Sequence, residues 1–138
     1  MKNKVVFITD YDVKRLNVLL DHADHWPDQD KDHVRLLRQK LASAQVARQK
    51  EAPPYLVTMN SHVRVTDLRQ KRDLKFWLAY PDESFSGDDK VSVLSPLGTA
   101  VLGVKVGDVV DVSNGSKKTQ FRVAQLYYQP EDYKHYTL

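Results

Sequence analysis

Apolar positions recur at helical spacing in the first third of the chain and gather into short runs after it. Val13, Leu16, Leu20 and Ala23 follow at steps of three, four and three, which draws a single stripe along a helix. Thr9 precedes Asp10 and Asp12, an N-cap with acids in the first turn, where the helix dipole favours them. Pro27 and its flanking aspartates interrupt the pattern, and a second stripe runs through Val34, Leu37, Leu41, Ala44 and Arg48. Two short amphipathic helices joined by a turn bury their seams on each other as an antiparallel pair. With about four turns, such a hairpin projects roughly 20–25 Å. The alternative is two helices of one globular core. Pro53-Pro54 ends the second helix and sets a boundary between an N-terminal hairpin, 1–52, and a sheet domain, 53–138.

Beyond Pro54 the period shortens. Tyr55–Met59, His62–Val65, Lys75–Tyr80 and Val91–Leu94 are strand candidates, with Asn60-Ser61 as a bulge or turn and Pro81 as a stop. Ser95 caps a short helix with Pro96 at its first position, and Gly103 is its C-terminal cap. Val109–Val112 and Gln120–Tyr128 flank Asn114-Gly115, a hairpin signal. The predicted fold is α+β: four to six antiparallel strands with one short helix against a face, plus the helical hairpin.

Composition narrows the chemistry. Among 138 residues there is no cysteine, which excludes disulfides, thiolate-held zinc and a cysteine nucleophile. The run Val5–Ile8 is too short for a signal-peptide core or a membrane span, so a cytoplasmic protein with no membrane partner is expected. The net charge of +3 is unevenly spread. Residues 21–32 carry five aspartates against Lys31, whereas residues 33–50 carry Arg35, Arg38, Lys40, Arg48 and Lys50 with no acid. The five histidines have no ligand spacing, and neither a phosphate-cradling glycine loop nor a nucleophile elbow is present. No cofactor, metal site or catalytic residue is expected, and the chain reads as a binder rather than an enzyme. Tyr127, Tyr128, Tyr133 and Tyr136 cluster near the end, where they could stack bases or, more commonly, cover a sheet edge or an interface.

The segment from Val91 through Ser95-Pro96-Leu97-Gly98 and Leu102-Gly103 to Gly107-Asp108 resembles the carboxy-terminal signature of the Gre transcription factor family. Val57–Ser61, Tyr80-Pro81, Tyr128–Glu131 and the closing Asp132-Tyr133…Leu138 look like its branch of regulators of nucleoside diphosphate kinase, the Rnk branch. The resemblance implies a short antiparallel coiled coil joined to an FKBP-like sheet domain. It also implies bacterial RNA polymerase as partner, with nucleic acid met only through the polymerase complex, and a monomer is expected. Carried onto this chain, the docking element is Leu94, Ser95, Pro96 and Leu97, set on the rim of the polymerase secondary channel. Leu102, Gly103, Gly107 and Asp108 are fold-forming positions.

Transcript-cleavage members of the family place acidic residues at the end of a long coiled coil to help hold a catalytic magnesium. Here the corresponding acids are Asp24, Asp28, Asp30 and Asp32, but the hairpin is about half as long, a deficit of order 20 Å. The expected function is therefore a polymerase-binding regulator without cleavage activity that competes with longer channel-binding factors. Two rivals stand beside it. One is a cleavage factor working through the acidic tip. The other is a direct nucleic-acid binder using Arg35, Arg38, Lys40, Arg48 and Lys50 with Arg64, Arg69, Lys71 and Arg72.

Overall fold

The computed structural model describes residues 5–26, 31–81, 89–114 and 116–135. The chain opens with β1 (Phe7–Thr9), α1 (Asp10–Asp21), a 3-10 turn (Ala23–His25), α2 (Lys31–Ser43) and β2 (Gln45–Ala47). Then come a second 3-10 turn (Gln49–Glu51), β3 (His62–Asp67), β4 (Arg72–Ala79), β5 (Lys90–Ser92), α3 (Pro96–Val101), β6 (Val109–Asn114) and β7 (Lys117–Tyr128). The architecture is α+β.

α1 starts as its sequence dictates: the Thr9 hydroxyl accepts the Asp12 N–H at 3.1 Å. α2 stops earlier than Pro53-Pro54 required, at Ser43. The cause is a competing partner. Gln45 N–H donates to Val6 O at 2.8 Å, and β2 then pairs in parallel with β1, so Val5–Ile8 supplies part of a strand. The Gln49 N–H is taken by Asp10 Oδ1 at 3.0 Å, which fastens the chain after β2 back to the start of α1.

The five-stranded sheet runs β5-β4-β3-β7-β6. It is mixed, not antiparallel throughout: β5 lies parallel to β4, with Trp77 opposite Lys90 and Ala79 opposite Ser92. β5 pairs only with the last residues of β4, and a period-2 pattern in the sequence carries no strand direction. The strand expected at Tyr55–Met59 is replaced by an isolated bridge, Leu56 to Lys105, and a turn in which Asn60 has φ 66°. The β6–β7 hairpin forms as the Asn114-Gly115 signal predicts, although Gly115 lies outside the described residues.

One core serves both halves of the chain. Leu16 and Leu20 of α1 and Val34 and Leu37 of α2 are buried in the same cluster as Val57, Met59, Val63, Val65, Phe76, Leu78, Val101, Leu102 and Val123. The helix seams are thus not reserved for the pair, as a coiled coil would have them; they also cover one face of the sheet. Gly103 marks the crossing. With φ 81° it accepts the Phe7 N–H at 3.1 Å and donates to Val57 O at 2.9 Å. A Cβ there would come within 2.8 Å of Phe7 O, so a side chain would separate β1 from the sheet domain.

Candidate functional site

The turn into α3 is built from backbone outwards. The Ser95 hydroxyl accepts the Gly98 N–H at 3.0 Å and donates to Ser92 O at 2.7 Å, and the Ser92 hydroxyl accepts the Leu94 N–H at 3.1 Å. Pro96 occupies the first helical turn, where its missing N–H removes no helical bond. Gly98 has no room for a side chain, because a Cβ would lie 2.0 Å from Ser92 O. Thr99 closes the turn by donating to Val93 O at 2.6 Å. Leu94, Ser95, Pro96 and Leu97 are therefore adjacent and half-buried, with Leu94 and Leu97 each resting one side on the core. Such a turn can present apolar surface to a partner with little ordering on binding.

The acidic tip is placed only in part. Asp24 belongs to the 3-10 turn after α1, and Asp32, exposed in the first turn of α2, pairs with Arg35 at 3.3 Å. Asp28 and Asp30 lie outside the described residues. Among the described residues no three His, Asp or Glu side chains gather as a metal site.

The basic run of α2 does not form one track. Arg38 donates to Leu20 O at 2.9 Å, at the C-terminal end of α1, where the helix dipole is negative. Lys40 Nζ reaches Thr99 O at 2.6 Å and Ala100 O at 2.8 Å, strapping α2 to α3. Arg35 pairs with Asp32 as above, while Arg48 is exposed beyond β2. Arg69, Lys71 and Arg72 sit exposed at the β3–β4 turn, and Arg64 pairs with Asp73 at 3.1 Å.

Two groups go beyond the sequence reading, one wholly and one in part. The first is a pair of buried carboxyls between α1 and the C-terminal turn. Asp12 Oδ2 accepts the Met59 N–H at 3.0 Å, and Glu131 Oε1 accepts the Thr58 hydroxyl at 2.7 Å. Burial pushes the Asp12 carboxyl up to about 7, the neighbouring Glu131 adding to the rise and the Met59 N–H opposing it. Burial also raises Glu131, against the hydrogen bond from Thr58. The signal was present: Asp12 is in step with Leu16 and Leu20, hence on the buried face.

The second is an aromatic cluster on the sheet face away from the core. His62 and Trp77, paired across β3 and β4, stack with ring centroids 4.3 Å apart and planes 6° from parallel. Tyr127 comes 5.2 Å from His62, Tyr128 lies 5.6 Å from Trp77, and Tyr133 follows 5.0 Å beyond Tyr128. The tyrosines were visible as a run near the end of the chain; their joining with His62 and Trp77 is a product of register. Tyr136 lies outside the described residues.

Residues 52–128 match the family model for the C-terminal domain of transcription elongation factors GreA/GreB. The chain is 32% identical over 134 residues to the regulator of nucleoside diphosphate kinase of Escherichia coli K12, covering 95% of each protein. It is 28% identical over 96 residues to transcription elongation factor GreA of Thermodesulfovibrio yellowstonii, covering 70% of this chain and 61% of that one. Among solved structures it is similar to a transcription elongation factor GreA/GreB from Nitrosomonas europaea, with TM-score 0.69 and 30% identity over 91% of this chain and all of that one.

Proposed function

Because the chain belongs to the GreA/GreB transcription elongation factor family, close to the regulators of nucleoside diphosphate kinase, we propose that it binds bacterial RNA polymerase and regulates elongation without stimulating transcript cleavage. Transcription elongation factor-like regulation follows from the family; the mode of docking is our reading. It places Leu94, Ser95, Pro96 and Leu97 against the rim of the secondary channel. The observation that carries it is the locked entry to α3, which lies within the family-matched segment and holds two leucines half-exposed. The absence of cleavage is argued from reach. α1 has 12 residues and α2 has 13, so each helix spans only about 18–20 Å. Their seams are also engaged with the sheet domain. In this reading the protein is a cytoplasmic monomer and not itself an enzyme. No helix among the described residues is long and apolar enough to cross a membrane.

Retention of core RNA polymerase on the immobilised full chain tests the proposal. Wild type is expected to retain the enzyme, and Pro96→Ala with Leu97→Asp to lose at least tenfold in affinity, since Leu97→Asp puts a charge into an apolar contact. Unchanged retention by that variant removes the docking site. In stalled elongation complexes with magnesium, transcript length is expected to stay constant; shortening overturns the no-cleavage reading.

A further inference from the structure

The outer face of the five-stranded sheet is uncovered by any helix among the described residues, because all three helices lie on the core side or at its margins. Two observations give this face a chemistry. The first is the ring platform at one end. Tyr127 is the extra residue where the β3–β7 register slips, Leu126 facing Val63 and Tyr128 facing His62. The slip lets both tyrosines reach the stacked His62–Trp77 pair. Tyr127 and Tyr133 are exposed, at 36% and 56%. Burial lowers the His62 imidazole below its ordinary value, with Asp89 opposing and Lys75 assisting, which favours the uncharged ring.

The second observation is charge. The strand registers put Arg64, Lys75, Lys90, Lys118 and Arg122 on the same face as the rings, against the carboxylates of Asp73 and Asp111 on the strands and of Asp89 near His62. Lys75 Nζ sits 5.6 Å from the Tyr127 ring centroid, tying the basic stretch to the aromatic one. A sheet face with exposed rings at one end and an excess of cations running from it fits a ligand that alternates flat aromatic groups with negative charge.

We propose that this face binds single-stranded nucleic acid, bases stacking on the exposed rings of Tyr127 and Tyr133 beside the His62–Trp77 stack while the phosphates follow Lys75 and Arg122. A duplex offers its phosphates to the cations but not its bases to the rings, because they are already stacked on each other. A neutral polypeptide partner would use the rings but has no need of the surplus cations. The site lies on a different surface from the α3 entry, so the strand is contacted directly and not only through polymerase.

The two tryptophans, Trp26 and Trp77, make the test optical. In a full-length Trp26→Phe background, Trp77 is the sole tryptophan, and its fluorescence is followed on titration with a ten-nucleotide oligouridylate, the matching oligothymidylate and a ten-pair duplex. Quenching by either single strand, with at least tenfold weaker binding of the duplex, is expected; comparing the two identifies RNA or DNA. Tyr127→Ala with Tyr133→Ala, both at exposed positions, should weaken binding at least tenfold. Lys75→Ala should reduce the slope of log affinity against log salt by about 0.7. No quenching at 50 mM salt, equal affinity for the duplex, or unchanged affinity in the double tyrosine variant overturns the proposal. Polymerase retention by that variant is expected to be normal, which separates this outcome from failure of the docking site.

Discussion

At the scale of single residues, Asp12 has the largest electrostatic consequence. Its carboxyl is ordinary in the unfolded chain, near 3.8, and raised to about 7 in the fold. Between those values the folded state holds a proton that the unfolded state has released, so this group's contribution to stability falls as the pH rises and levels off above about 7. Asp12→Asn keeps an acceptor for the Met59 N–H and removes the titration. The melting temperature of the variant relative to wild type should therefore shift in the variant's favour between pH 5 and pH 8; a difference independent of pH would contradict the raised carboxyl. The helical step from Asp12 to Leu16 and Leu20 marked this residue as inward-facing. What the sequence withheld was its partner, since Glu131 and Thr58 reach the site only through the fold. Val46 shows the same limit in reverse. It reads as part of a helical continuation, yet it lies exposed in β2, because the carbonyl of Val6 was the better partner for the preceding N–H.

At the scale of elements, legibility followed how local the determinants are. The start of α3 was readable to the residue because Ser95 and Pro96 act on their own neighbours, whereas its end is capped by Leu102 and the expected cap, Gly103, bonds instead to Phe7 and Val57. The parallel docking of β5 and of β2 was not, since both depend on strands distant in sequence. The turn is also where a minimal change should be costly. Gly98→Ala adds only a methyl group, but it meets the Ser92 carbonyl at 2.0 Å and the backbone on both sides is fixed by hydrogen bonds. A loss of about 1–3 kcal/mol in denaturant unfolding is expected, with weaker polymerase retention even where folding is restored by lower temperature. Stability equal to wild type would mean that the turn relaxes and is not the rigid element the docking proposal requires.

At the scale of the molecule, the Pro53-Pro54 boundary separates stretches of sequence whose buried side chains belong to one cluster. Residues 53–138 expressed alone lose Leu16, Leu20, Val34 and Leu37 from that cluster, together with the Asp12 and Lys40 contacts. The fragment should melt at lower temperature and bind a hydrophobic dye, whereas cooperative unfolding at the full-length temperature would establish an independent domain. The +3 charge also takes on a shape at this scale. The α2 cations are spent largely on helix ends and carbonyls, and the accessible excess lies across the outer sheet. Gly103 has a consequence for synthesis. Phe7 leaves the ribosome early, but the carbonyl that takes its N–H is made about a hundred residues later. At synthesis rates of about 5–20 residues per second, the first strand spends roughly five to twenty seconds without its final partner. During that interval Val5–Ile8 is an apolar segment that the nascent chain, or a chaperone, has to keep from other company.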